Sequence, residues 1–151
     1  MSQVEARLAE LGLTVPEVAV PVAAYVPAVI SGSHVFTSGQ LPMVAGALAA
    51  TGRLGGEIDP EEGTKLAEIC ALNAIAAVKS VLGDLDRVVQ VVRVTGFVSS
   101  MPDFYGQPAV INGASNLLGK AFDGAHSRSA VGVAALPLNA PVEIDMIVEF
   151  K

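Results

Sequence analysis

SRSAVGVAALPLNAPVEIDMIVEF, residues 127–150, alternates on both of its arms. Ser129, Val131 and Val133 alternate with Arg128, Ala130, Gly132 and Ala134; further on, Val142, Ile144, Met146, Val148 and Phe150 alternate with Glu143, Asp145 and Glu149. A period of two belongs to a strand, whose successive side chains leave on opposite faces. The stretch reads as two strands joined by a Pro-containing loop, a closing hairpin. Its larger apolar residues share one covered face, which puts Arg128 and Glu143 together on the other. Ala130, Gly132 and Ala134 leave that second face almost without bulk, which suits close approach of a second subunit or a ligand.

The chain upstream supplies what this hairpin packs against. Pro108 to Phe122 has Val110, Ala114, Leu117, Ala121 and Phe122 at helical spacing. Val88 to Ser99 is apolar on both alternations, as a central strand covered on two sides must be. Asp59-Pro60-Glu61-Glu62 combines a capping residue, a proline at the first helical position and acids in the first turn, so a helix is expected from about Pro60 to Leu82, closed by Gly83. Its stripe includes Leu66, Ile69 and Cys70, making Cys70 a small core residue. Met43 to Glu57 reads as a loop or an edge hairpin. Gly32-Ser33 is a turn ahead of a short strand at His34–Ser38. Pro16, Pro21 and Pro27 withhold ladder donors, so any strand between Val15 and Ile30, the segment that holds Tyr25, belongs at a sheet edge. Ser2 and Glu5 form a capping box for a short helix that stops at Gly12.

Two long helices cover one face of such a sheet and leave the other open. With 151 residues the chain fits one domain, with residues 1–12 as a helical extension, and it is 52% hydrophobic without an apolar run of membrane-spanning length. Self-association is the physical remedy for an open face lined with Val, Ala and Gly. A net charge of −6 with no Lys/Arg cluster argues against nucleic acid as a partner. A single cysteine, no signal-peptide pattern and no Cys/His cluster make cytoplasmic residence the default and give a metal site no support. His34 and His126 read as turn or surface residues.

Several stretches together resemble one family, the reactive-intermediate deaminase (Rid, or YjgF) family. They are Tyr25 with Thr37-Ser38-Gly39-Gln40-Leu41-Pro42; the helix with Asn73 and Ala76-Ala77-Val78; Val94–Ser99 ahead of Asp103-Phe104; and Arg128-Ser129-Ala130-Val131 followed by Ala135-Leu136-Pro137 and Val142-Glu143-Ile144-Asp145. The resemblance covers roughly residues 18–150. It implies an α+β fold of the bacterial chorismate-mutase-like type, a mixed sheet with two helices on one face. It also implies a homotrimer whose sheets form a central barrel, with sites in the clefts between subunits. By the same resemblance Arg128 holds a substrate carboxylate, Glu143 positions or activates water, and Tyr25, Ser38, Gly39, Asn112 and Ala130 line the pocket. Ala130 stands where the family often has cysteine, which removes thiol chemistry. The loop near Tyr105 is longer than the family's, which bears on the pocket's shape.

The activity implied is hydrolytic deamination of small 2-imino acids or enamines, such as 2-iminopropanoate and 2-iminobutanoate, with no cofactor. The planar guanidinium suits this, because it gives a carboxylate two parallel hydrogen bonds that lysine cannot reproduce. Other readings stand beside it. Arg128 and Glu143 equally suit an ion pair at a subunit contact, Tyr25 edge packing, Ser38 a turn hydroxyl and Asn112 a bond to loop backbone. A non-catalytic trimer that binds small carboxylates, in a regulatory role, is the alternative function, and a ribonuclease fares badly on charge.

Overall fold

Helix α1 (Gln3–Glu10) in the computed structural model, which describes residues 1–19 and 24–151, starts and stops where its sequence dictates. Ser2 Oγ accepts from the Glu5 amide at 3.1 Å and donates to Glu5 Oε1 at 3.0 Å, and Gly12 takes φ +75° just beyond the end. Two further free amides, of Gln3 and Val4, donate to the carboxylate of Asp86 at 2.9–3.4 Å. That distant carboxylate complements the positive helix end, and buried Val4 and Leu8 complete the attachment.

Strands β1 (Ala28–Ser31) and β2 (His34–Thr37) form the expected hairpin across Gly32-Ser33, with β1 at the sheet edge. Val20–Ala23, including Pro21, lie outside the described residues. β3 (Met43–Val44) and β4 (Ala47–Leu48) make a separate two-stranded hairpin. Both turn residues, Ala45 and Gly46, have positive φ, as the commonest hairpin turn requires. Helix α2 spans Pro60–Leu82 as its capping residues predict: Asp59 Oδ1 accepts from the Glu62 amide at 2.8 Å, and Gly83 ends the helix at φ +77°. Then follow β5 (Val88–Ser99), α3 (Gln107–Ala121), β6 (Ser127–Val133) and β7 (Val142–Phe150). α3 begins and ends one residue earlier than its apolar spacing suggests.

The five-stranded mixed sheet has the order β1-β2-β7-β5-β6. This corrects the closing hairpin: β6 and β7 do not pair. β5 lies between them, parallel to β6 and antiparallel to β7. The physical reason is β5 itself, long and apolar on both alternations, which takes the position with a neighbour on each side. α3 then supplies the crossover that a parallel β5–β6 pair needs.

Register also corrects the shared face. Directly opposed residues of neighbouring strands point the same way. Val94 opposes Arg128, and Phe97 opposes Glu143. Val94 and Phe97 are an odd number of positions apart in a stretch free of register shifts, so Arg128 and Glu143 lie on opposite faces. The helix-covered face carries fully buried Val94, Val98, Ile144, Met146 and Val148 against Ile75, Ile111 and Leu118 of the two long helices. Arg128 and Ala130 belong to this face at its β6 edge. Cys70 is buried in the same core, where loss of water pushes its thiol well up. The other face carries Glu143, Asp145, Ile147 and Phe97, with Val29, Phe36 and Val131 more than two-fifths exposed. Exposed apolar side chains on a sheet face that no helix covers are what a second copy would cover.

Candidate functional site

The proposed site residues fall into two groups, one on each side of the sheet. The first is built where the edge strand β6 passes the start of α3. Arg128 Nη1 donates to Asn112 Oδ1 at 2.8 Å and to Ser115 Oγ at 3.1 Å, while Nη2 donates to the Pro108 carbonyl at 3.3 Å. A guanidinium has five N–H donors in a planar fork. Three face α3, and among the described residues none receives the Nε–H or the second Nη2–H. The free donors are therefore Nε–H and one Nη2–H; with the Pro108 carbonyl on the Nη2 hydrogen that faces Nη1, the two form the side edge of the fork, a spacing that matches the two oxygens of a carboxylate. Ala130 follows two residues on, partly buried against the core.

This group contains two residues that sequence reasoning missed. Ser115 Oγ lies 3.0 Å from Nε2 of His126, which sits partly exposed in the link before β6, with its Nδ1 buried and without a partner among the described residues. Burial, and then the Arg128 charge, hold its pKa below the usual 6.5. A signal existed. His126 precedes Arg128 by two positions, and Ser115 follows Asn112 by one helical turn, so each shares a face with a residue already singled out.

The second group forms where the segment after β2 crosses β7. Gln40 and Ile144 exchange backbone hydrogen bonds at 2.7 and 3.0 Å, which lays Ser38-Gly39-Gln40 beside Glu143. Gly39 lets the Glu143 carboxylate lie against the backbone, since a Cβ would stand 2.5 Å from Oε2 and 2.8 Å from Cδ and push the carboxylate aside. Ser38 Oγ donates to the Val26 carbonyl at 2.6 Å, so the hydroxyl pins the edge segment in this isolated chain. Tyr25 is half exposed next to it. Burial, and then the neighbouring Asp145 carboxylate, push the Glu143 pKa above 4.5. Asp145 is also raised by burial, against opposing effects of Arg93 and Thr95.

Opposite faces mean that one chain does not present Arg128 and Glu143 to the same small molecule. The cavity of about 830 Å³ beside α2, lined by Tyr25, Gly39, Ile69 and Leu72, includes neither of them. Among the described residues no group of His, Cys, Asp and Glu could hold a metal ion. None of their helices is long and apolar enough to cross a membrane.

Residues 5–150 match the family described as "YjgF/chorismate_mutase-like, putative endoribonuclease". Protein TCP17 of Trypanosoma cruzi is 44% identical over 152 residues, covering 99% of this chain and 95% of that protein. A crystal structure of a protein of unknown function from Agrobacterium tumefaciens superposes with a TM-score of 0.93 at 48% identity, covering 99% of this chain and 93% of the other. Escherichia coli TdcF, in a crystal structure with bound serine, superposes with a TM-score of 0.66 at 27% identity, over 89% and 94% of the two chains.

Proposed function

Since the chain belongs to the YjgF/chorismate-mutase-like family, we propose that it is a cofactor-free hydrolase of small 2-imino acids and enamines, acting in clefts between the subunits of a homotrimer. The observation that carries this reading is the guanidinium of Arg128, fixed by three acceptors of α3 with two of its five N–H donors, Nε–H and one Nη2–H, left over. A bound serine in TdcF is a small carboxylate ligand on the same fold. β6 is an edge strand, so a second copy's open face can approach Arg128 and bring its own Glu143, Gly39, Ser38 and Tyr25. Asn112 acts mainly by holding Arg128.

The chemistry asked of the residues is modest. Arg128 fixes the substrate carboxylate, which sets the C=N carbon in one place. The carboxylate of Glu143 takes a proton from a water as its oxygen attacks that carbon, and returns it to the nitrogen. The resulting carbinolamine then releases ammonia and leaves the 2-oxo acid. Such positioned acid/base work is worth ~10²–10⁴-fold. The raised pKa of Glu143 suits a group that must both accept and donate near neutral pH.

The direct test generates 2-iminopropanoate or 2-iminobutanoate in the cuvette with an amino-acid oxidase and follows its decay. Decay at the same rate with and without the protein sinks the proposal for those substrates. Glu143→Gln is expected to lower kcat by ~10²–10⁴-fold and to leave binding of 2-oxobutanoate almost unchanged. The same variant gives a stability signature. A raised folded pKa means that the folded chain holds its proton more tightly than the unfolded one, so native stability falls as pH rises through that pKa. Glu143→Gln should therefore melt slightly higher than the parent at pH 7, with the difference shrinking as pH falls through the raised folded pKa and gone once pH is below 4.5.

The second reading is a non-catalytic carboxylate binder, favoured by the separation of Arg128 from Glu143 within one chain. Binding of 2-oxobutanoate without any turnover of the imines would support it. An RNA substrate meets 15 acidic against 9 basic residues, a poor electrostatic match to phosphate.

A further inference from the structure

Arg128 is held partly by a hydroxyl, and a hydroxyl can be aimed only if its own proton has somewhere to go. Ser115 Oγ carries one hydrogen and two lone pairs. The guanidinium only donates, so at 3.1 Å Oγ must accept from Nη1. Among the described residues the partner left for the hydroxyl proton is His126 Nε2, at 3.0 Å. Nε2 is then the acceptor and the ring proton sits on Nδ1. That arrangement orphans one group, the buried Nδ1–H. The other neutral tautomer orphans two, the Ser115 hydroxyl hydrogen and the Nδ1 lone pair.

We infer that His126 is a positioning residue for Arg128: its neutral ring takes the Ser115 hydroxyl proton, and Ser115 in turn fixes Nη1 so that the Nε–Nη2 edge faces the cleft. This rests on the reading of Arg128 as the carboxylate holder and gives that reading a support not contained in Arg128 or Asn112 alone. A protonated ring works against it in two ways. It removes the acceptor for the Ser115 proton, and it sets a second cation near the guanidinium in a partly dry site. Arg128, two residues further along the chain, is the charge that acts on the ring; from α3 the ring meets the neutral Ser115 hydroxyl, and across the proposed cleft Glu143 of a second copy is the other titrating group.

Two measurements test this, one without ligand and one with it. In nitrogen-15 NMR of the free protein, neutral His126 should show the Nδ1–H tautomer, and the Arg128 Nη hydrogens should give resolved, slowly exchanging signals. In His126→Ala those signals should collapse, and in His126→Gln, whose amide oxygen can accept from Ser115, they should return. Calorimetry with 2-oxobutanoate should show wild-type affinity falling as pH drops through the His126 titration, below 6.5. His126→Gln should lose that step, keep any step due to Glu143, and bind normally at pH 7.5. Ser115→Ala should bind roughly tenfold more weakly at every pH, the value of about one hydrogen bond. Unchanged Arg128 signals in His126→Ala, or an Nε2–H tautomer, overturn the inference. If the NMR results hold and 2-oxobutanoate fails to bind at any pH, the positioning stands and the carboxylate reading of the site fails.

Discussion

Arg128→Ala should lower kcat/KM for 2-iminopropanoate by about 10²–10³-fold while leaving the oligomer and its melting temperature nearly unchanged. Two charge-assisted hydrogen bonds to a carboxylate are worth about 1.5–3 kcal/mol each, and each 1.36 kcal/mol is tenfold, so losing both removes at least about two decades. Stability should change little, because the guanidinium is only partly buried and two of its three partners, Asn112 Oδ1 and the Pro108 carbonyl, are exposed groups that water can serve. Arg128→Lys is the sharper variant. It keeps the charge but cannot reach Asn112 and Ser115 while also offering two parallel donors, so it should recover less than a tenth of the loss. Steady-state rates with sizing chromatography decide the matter. Rates for Arg128→Ala within a factor of three of the parent would remove the guanidinium from the reaction.

The same residue shows where the sequence was legible. Period two correctly gave β6 and β7, and the capping residues gave α2 to the residue, because both signals are local. Pairing and facing are not local. β6 looked like one arm of a hairpin because the competing neighbour, β5, lies far upstream and only wins through its own two-sided hydrophobicity. Ala130 and Gly132 read as an open face because small residues signal close approach. The approach is real, but it is made by α3: a Cβ on Gly132 would come 2.7 Å from the Gln107 amide nitrogen. Arg128 accordingly lies on the helix side of the sheet, away from Glu143. The resemblance had already placed the site between copies, which is why the residue set survives as a proposal although the geometry offered for it did not. His126 and Ser115 escaped because neither carries a motif, only a position beside residues that do.

Gly113→Ala should cost the fold more than any other single methyl in α3. The two long helices cross here so closely that a Cβ at Gly113 would stand 2.1 Å from the Thr64 carbonyl oxygen and 2.9 Å from its carbonyl carbon. In isolation alanine would favour the helix by about 1 kcal/mol, and overpacking a tight core typically costs about 1–3 kcal/mol or more. The obstacle decides the sign. A side chain can swing aside, whereas the Thr64 carbonyl is backbone in the first turns of α2, and moving it means parting α2 from α3 over Leu66, Val110 and Ile111. A net loss of about 2 kcal/mol is the expectation, lowering Tm by roughly 4–8 °C for a chain of this size. Gly119→Ala is the matched control, on the same helix with its nearest obstacle at 3.4 Å, and should be neutral or slightly stabilising. Function should follow stability at Gly113 only, because Pro108, Asn112 and Ser115 ride on the helix that is displaced and all three hold Arg128. Weakened 2-oxobutanoate binding in folded Gly113→Ala, with Gly119→Ala unaffected, would tie the helix crossing to the guanidinium. A Gly113→Ala protein that melts at or above the parent temperature would mean that α2 and α3 can part without cost, and the rigid support claimed for Arg128 would go with it.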